Sequence, residues 1–504
     1  MFKKILIANR GEIALRIMRT CEDMGVGTVA VYSEVDRLAP HVHYADEAYC
    51  IGPGPARESY LRIDALIEVA KKSGAEAIHP GYGFLSENPE FARACTDAGL
   101  KFIGPPPDVI RTMGNKIKAR QMMAKIGVPI VPGTTVGVTS IEEAKKAASK
   151  LGYPVTVKPS EGGGGKGMHV ASKPEELEGA IKIAASEAAS AFNSSEVYLE
   201  KFLSPVRHIE VQVLRDHCGT VIHLGERECS IQRRHQKLVE ESPSTAVDEG
   251  LRSKMTSVAV TAAEAVAYQG VGTVEFLLDK DRNFYFLEMN TRLQVEHTVT
   301  ELVTGIDLVE EQLYLASGEC LRYLQDDIKP RGWVIECRVM AEDPYNNFLP
   351  SPGQVEILYE PGGPGVRVDS GVSKGYEIPV FYDPLIAKLV TWGSSRDQAV
   401  RRMRRALRDY KILGIHNNIP FLMAVIGTPE FLRGELSTEF LSENANLLEQ
   451  QPKTNERIAA IVAALMERQK KIQGMRANNH VNGQSTRNLW KVAGRLKGGG
   501  RPWL

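Results

Sequence analysis

Short apolar runs alternate with amphipathic stretches over the first hundred residues. Residues 3–8 read as a buried strand, Asn9-Arg10-Gly11-Glu12 as a turn, and 13–24 as a helix with apolar positions on one face. Strand 28–32, helix 61–73 and strand 77–79 continue the alternation. Such an order predicts a parallel, doubly wound sheet, with ligands beyond the carboxyl ends of its strands. Both glycine-bearing turns, Asn9-Arg10-Gly11-Glu12 and His79-Pro80-Gly81-Tyr82-Gly83, fall at such ends. A second unit starts near Met113. It holds helices over 116–126 and 141–151, a strand over 154–158, and a strand-like stretch with a charged rim over 198–224. A long helix over 252–268 follows, then strands 272–278 and 284–290 joined by the hairpin turn Asp279-Lys280-Asp281-Arg282-Asn283. A third unit, 332–447, mixes short strands with helices near 396–410 and 417–426. A charged helix over 454–473 and a Gly/Asn-rich linker close the chain.

Length and charge narrow the class. The 504 residues suggest about three to four domains. Lys plus Arg and Asp plus Glu number 62 each, so no global basic field for nucleic acid exists. The balance is uneven, since residues 453–504 carry eleven Lys or Arg against two Glu. The seven cysteines show no C-x-x-C spacing and are odd in number, which argues against a disulfide framework or zinc site and fits a reducing cytoplasm. The apolar start is too short for a signal-peptide core, and no window is long enough to span a membrane. A cytoplasmic location is therefore expected.

Three stretches carry candidate chemistry. In 288–296, Glu288, Asn290, Arg292, Gln294 and Glu296 alternate with Met289, Thr291, Leu293 and Val295. If extended, one face would hold two carboxylates, two amides and a guanidinium, a set suited to a hard cation beside a small anion. The bland alternative is a solvated edge strand with local ion pairs. Antiparallel pairing would bring Glu275 against Glu288, with Asn290 nearby, which fits Mg²⁺; the alternative is two solvated glutamates. The run Gly162-Gly163-Gly164-Gly165-Lys166-Gly167 lacks the following helix of a dinucleotide fingerprint and the Ser or Thr of a Walker loop. Strand, glycine turn, strand is the geometry expected, able to fold over a polyphosphate with Lys158 and Lys166 adding charge, unless it is merely a flexible loop. Gln232-Arg233-Arg234-His235-Gln236-Lys237 would face a nucleotide or be a surface charge run. His208 and Cys229 are not expected to act as catalytic acids or bases.

Together, Ile7-Ala8-Asn9-Arg10-Gly11-Glu12-Ile13-Ala14, the 79–88 segment, the glycine loop, the 229–237 segment and the 288–297 segment resemble biotin carboxylase, from residue 2 to about 447. The resemblance implies an α/β architecture. It comprises an N-terminal Rossmann-like domain over 1–113, an ATP-grasp domain over 114–331 with a mobile glycine-loop lid at about 131–204, a C-terminal biotin carboxylase domain over 332–447, and a tail over 448–504. It implies ATP- and bicarbonate-dependent carboxylation of biotin through carboxyphosphate. By position, Lys116, Lys158, Gly163, Gly164, Gly165, Lys166, Gly167, Glu200, Lys201, His208, Gln232, His235 and Leu277 match nucleotide contacts. Glu275, Glu288 and Asn290 match ligands of Mg²⁺ or Mn²⁺. Lys237, Arg292, Gln294, Val295 and Glu296 match bicarbonate contacts, with Glu296 as the base, and Arg338 and Tyr82 match biotin contacts. A carboxylate ordinarily has a pKa of about 4 and is too weak a base for that task, so either the pKa of Glu296 is raised or bicarbonate is made more acidic by Arg292. Asn115, Pro159, His169, Thr298 and Trp333 depart from the commonest family residues. No biotinyl-lysine motif occurs, and there is no room for a carboxyltransferase, so biotin is expected on a separate carrier protein, with separate carboxyltransferase subunits and a homodimeric chain. The tail lies outside the resemblance and is read either as a docking element for partner subunits anchored by Trp490 and Trp503 or as a disordered segment. The rival readings are another ATP-grasp carboxylate ligase and a non-catalytic nucleotide-binding scaffold.

Overall fold

The first strand shows how the alternation becomes architecture. In β1 (Lys4–Ile7), Ile5 and Ile7 face one core, where they meet Ile13, Ile17 and Met18 of helix Gly11–Asp23. Leu6 and Ala8 face the other, where they meet Leu66 and Ala70 of helix Ile63–Ser73. A strand covered on both faces needs helices on both, and β2 (Gly27–Ser33), β3 (Glu47–Gly52), β4 (Ala77–His79) and β5 (Lys101–Phe102) complete that layer. The order is β3-β2-β1-β4-β5, every pair parallel. Direction of winding reverses between β1 and β4, where both glycine turns emerge. The Asn9 amide ties the turns together, donating to the carbonyls of Pro80 and Tyr82 at 2.8 Å each. Gly81 lies at φ 63°, and a Cβ there would sit 2.8 Å from that amide.

The structure is a computed structural model that describes residues 1–449 except 139, 162–166 and 193. The tail helix, Trp490, Trp503 and Gly162, Gly163, Gly164, Gly165 and Lys166 lie outside the described residues. β6 (Val155–Pro159), β7 (His169–Ala171) and β8 (Val197–Lys201) form an antiparallel sheet in the order β7-β6-β8, so the glycine run lies between two paired strands. Helices Ile141–Leu151 and Pro174–Phe192 cover it, Ala144 and Ala148 of the first meeting Leu177, Ala180, Ile181 and Ala184 of the second.

The largest sheet is built from β9 (Val206–Arg215), β10 (Val221–Arg233), β11 (Gln236–Ser242), β12 (Gly270–Asp279), β13 (Phe284–Asn290) and β14 (Trp333–Met340), with strands Leu385–Gly393 and Val366–Ser370 beyond β14. Its order is β13-β12-β9-β10-β11-β14, then those two strands, all antiparallel. Ile209, Val211 and Val213 pack with Val274, Phe276 and Leu278 against Met255, Ala259 and Ala262 of helix Glu249–Ala265. The intervening residues His208, Glu210 and Gln212 are buried as well. The charged rim expected over 198–224 is thus in part a polar interior.

One correction concerns a connection. Cys218, in the turn between β9 and β10, is disulfide-bonded to Cys320 after helix Leu308–Ala316, against the expectation from cysteine spacing. The partners are 102 residues apart, and a pairing made by tertiary convergence leaves no local spacing. Gly371 lies against the start of the first helix, where a Cβ would stand 2.5 Å from the Glu12 nitrogen. No helix among the described residues is long and apolar enough to cross a membrane.

Candidate functional site

Antiparallel register brings the two expected carboxylates together: Glu275 of β12 lies opposite Glu288 of β13, and Thr273 opposite Asn290. The 288–296 run does not stay extended. β13 stops at Asn290, the chain turns, and helix His297–Thr304 begins after Glu296. The apolar members explain this, because Met289 packs into the core under helix Glu249–Ala265 whereas Leu293 packs into the N-terminal one. One straight strand cannot serve both.

The like charges are separated by the protein's own cations. Lys116 Nζ lies 2.9 Å from Glu288 Oε2. Lys237 Nζ donates to Glu210, to Glu275 Oε1 at 3.2 Å and to Glu296 Oε1 at 2.6 Å. His208 Nε2 stands 2.9 Å from Glu275 Oε2, close but not aligned as a hydrogen bond. The fully buried Arg227 donates to Glu210 Oε2 at 3.1 and 3.2 Å, Gln212 Oε1 at 2.6 Å, Thr273, Thr300 and Gln294 Oε1. Burial opposes charge on Glu210, Glu288, Glu296, His208, Lys237 and Arg227, yet the opposite charges prevail. Glu288 is held below the usual carboxylate range by Lys116, and Glu210 well below it by Lys237. His208 is pushed up to about 9 by Glu275, and Lys237 rises by virtue of its three carboxylates. Glu296 is lowered, Lys237 outweighing burial, so the raised base allowed from sequence is not the resting condition. The oxygens of Glu275, Glu288 and Asn290 suit a hard divalent cation, and the surrounding ammonium and imidazolium groups occupy the electrostatic role such an ion would take.

Beyond Asn290 the chain supplies groups for an anion. Arg292 donates from Nε to Glu87 Oε2 at 2.9 Å and from Nη2 to Asn290 Oδ1 at 3.0 Å. Gln294 Nε2 donates to Glu275 Oε1 at 2.6 Å. Arg338 bridges two carboxylates, Glu240 Oε1 at 2.6 Å and Glu296 Oε2 at 3.0 Å. The Val295 carbonyl accepts from buried Lys388 at 3.1 Å, and Lys388 also pairs with Glu12, the acceptor of the Tyr82 hydroxyl. Arg292, Val295 and Arg338 line a cleft of about 460 Å³ together with Tyr82 and the Asn9-Arg10-Gly11-Glu12 turn.

The expected nucleotide residues form a looser group. Lys158 Nζ lies 2.5 Å from Glu200 Oε2, and Arg120 binds the same carboxylate. Lys201 turns its ammonium to the carbonyls of Gly152 and Tyr153. Gln232 pairs with Lys237 across the β10–β11 hairpin, whose turn holds His235 at φ 67°. Burial, then the Lys158 charge, lower the His235 imidazole. Half-buried Leu277 lies opposite His208, and Gly167 at φ 76° leads into β7. The basic run divides: Arg233 lies over the Phe348 ring at 4.1 Å while Lys237 points into the carboxylates. Glu87, Glu210, Arg227, Glu240 and Lys388 were not singled out from sequence. The alternation His208, Glu210, Gln212 was the available signal for Glu210.

An antiparallel sheet carrying paired glutamates and lysines, the paired strands β6 and β7, and a doubly wound domain together have the architecture of an ATP-dependent ligase. The sequence matches the family models "Biotin carboxylase, N-terminal domain" over residues 1–110, "Carbamoyl-phosphate synthase L chain, ATP binding domain" over 115–324 and "Biotin carboxylase C-terminal domain" over 336–443. It is 55% identical over 443 residues to a pyruvate carboxylase subunit from Methanothermobacter thermautotrophicus, covering 88% of this chain and 90% of that one. Biotin carboxylase 1 of Bacillus subtilis is 53% identical over 442 residues, covering 88% and 98%. Among solved structures, the biotin carboxylase domain dimer of Hydrogenobacter thermophilus 2-oxoglutarate carboxylase, in complex with MgADP, ADP and bicarbonate, superposes with a TM-score of 0.88 at 48% identity, covering 90% of this chain and 99% of that one. The chain belongs to the biotin carboxylase family.

Proposed function

We propose that this chain carboxylates biotin held on a separate carrier protein, using ATP and bicarbonate, and that the residues assembled above do the work. Lys116, Lys158, Glu200, Lys201, His208, Gln232, His235, Leu277 and the glycine run from Gly163 to Gly167 take the nucleotide. Glu275, Glu288 and Asn290 hold Mg²⁺ or Mn²⁺, which when bound neutralises phosphate oxygens. Lys237, Arg292, Gln294 and the Val295 backbone position bicarbonate, whose oxygen attacks the γ-phosphorus as ADP departs. Glu296 accepts the bicarbonate proton. The carboxyphosphate formed releases CO₂ and phosphate, the phosphate takes the N1′ proton of biotin lying between Tyr82 and Arg338, and N1′ then attacks the CO₂. Positioning and charge neutralisation are the main demands of such phosphoryl transfer.

The observation that carries this reading is Glu296, buried and held between Lys237 and Arg338 where the carboxylate pair meets the cleft. ATP cleavage that depends on bicarbonate and rises with free biotin tests it; cleavage indifferent to bicarbonate refutes it. A homodimer with separate carrier and carboxyltransferase subunits is supported by the dimer seen in the Hydrogenobacter relative and by the naming of the Methanothermobacter relative as one subunit of its carboxylase.

A further inference from the structure

Arg338 is shared. Its Nη2 reaches Glu296 at 3.0 Å, but its shorter bond, 2.6 Å from Nε, goes to Glu240 on β11. Glu240 is fully buried, and its second oxygen has no hydrogen-bond partner among the described residues. Directly across the β11–β14 ladder stands Glu336, also fully buried and also with one oxygen unpartnered. Two buried carboxylates facing each other across one ladder step cannot both be charged cheaply.

We propose that Glu240 is a positioning residue for the carboxylation chemistry: it competes with Glu296 for Arg338, so that its ionisation strengthens Glu296 as a base. This rests on the reading of Glu296 and Arg338 given above. The charged groups facing Glu240 are Arg338 and Glu336 from β14, Glu296 from the turn before helix His297–Thr304, and Lys237 from its own strand. Burial, reinforced by Glu240, keeps Glu336 well above the carboxylate range, so it carries the proton of the pair. Burial pushes Glu240 up to about 7 despite Arg338. Across neutrality Glu240 therefore changes charge. When neutral, it leaves Arg338 wholly to Glu296, which is then the weaker base. When ionised, it draws the guanidinium toward itself and adds a repelling charge, and Glu296 binds a proton more readily.

The test is the pH profile of kcat for free-biotin carboxylation in wild type, Glu240→Gln and Glu336→Gln. Glutamine at 240 keeps an acceptor for Arg338 but cannot ionise. Wild type should gain activity through a limb near pH 7; E240Q should lose that limb and fall about fivefold to tenfold behind at pH 8, with the KM for ATP unchanged. E336Q replaces a neutral acid by a neutral amide, so it should keep the limb at its wild-type midpoint and reports whether this part of the sheet tolerates substitution. A wild-type limb that persists unchanged in E240Q, or a limb in E336Q moved by a full pH unit, overturns the proposal. Absence of bicarbonate-dependent ATP cleavage in wild type would instead sink the assignment on which it rests.

Discussion

Changing Glu296 to Gln isolates proton transfer from architecture. The glutamate accepts from Lys237 at 2.6 Å and from Arg338 at 3.0 Å. Neither cation is stranded by the change, because Lys237 keeps Glu210 and Glu275 and Arg338 keeps Glu240 at 2.6 Å. The amide also retains an acceptor oxygen. The fold should therefore lose only about 1 kcal/mol, a shift of a few degrees in the thermal midpoint. Chemistry should suffer far more. A positioned general base contributes about 10²–10⁴-fold, or roughly 3–5 kcal/mol of barrier. Because Lys237 holds the wild-type carboxylate below its ordinary value, the proton-accepting form is already present at neutral pH, and the loss in E296Q should show throughout the neutral range. Steady-state biotin carboxylation, nucleotide affinity and thermal midpoint would be measured on the same preparation. A fall below tenfold in kcat with affinity intact would refute the role of base. A fall matched by an equal loss of nucleotide binding would show that Glu296 is structural.

Glu275→Gln should weaken Mn²⁺ binding about tenfold or more, read by the electron paramagnetic resonance of the free ion, since it removes one of the two hard anionic donors. His41 is buried and burial lowers its imidazole to about 4 against an ordinary 6.5. The unfolded chain therefore takes up a proton that the folded chain refuses; the stability is whole above pH 6.5 and is lost as pH falls toward 4, by roughly 3 kcal/mol. His41→Gln should flatten the acid side of a plot of thermal midpoint against pH, and an unchanged acid limb would dismiss His41 as its source. Peptide mapping without reductant should recover Cys218 linked to Cys320, and Cys218→Ser should lower the thermal midpoint, the closed loop of about 100 residues being worth up to about 4 kcal/mol; alkylation of both thiols in unreduced native protein would contradict the bond.

The parallel domain was legible because strands buried on both faces leave uniform apolar runs between amphipathic helices, as Ile5 to Ala8 do. The Glu275–Glu288 pair was legible because a short polar turn fixes the hairpin register. The polar face of β9 was misjudged for a physical reason: His208, Glu210 and Gln212 alternate with Ile209, Val211 and Val213 in the same way whether water or a second charged layer lies beyond them. The stretch after Asn290 continued the alternation past the end of its strand, since Met289 and Leu293 satisfy the same pattern in different cores. Helix Pro174–Phe192 was overlooked because its buried side is largely alanine, Ala180, Ala184 and Ala188, which contrasts weakly with its surroundings. Arg227 joins residues from β9, β10, β12 and the turn after β13, and no linear pattern encodes such a convergence.

Gly371 bears on how freely the pieces of this enzyme can be exchanged. Three family segments follow one another along the chain, which invites the building of chimaeras from different carboxylases. The third segment nevertheless reaches back to the first with no side chain between them, a single added methyl carbon falling 2.5 Å from the Glu12 nitrogen. Glu12 in turn receives Tyr82 and Lys388, one group from each segment. A donor N-terminal piece must bring the same helix start to the same backbone, or Glu12 and Tyr82 will not line the cleft as they do here. The ATP-binding segment is no more separable, since its β11 pairs with β14 of the third segment, its Glu240 and Glu296 hold Arg338, and its Arg292 is bound to Glu87 of the first, so a chimaera must carry all three segments from one source.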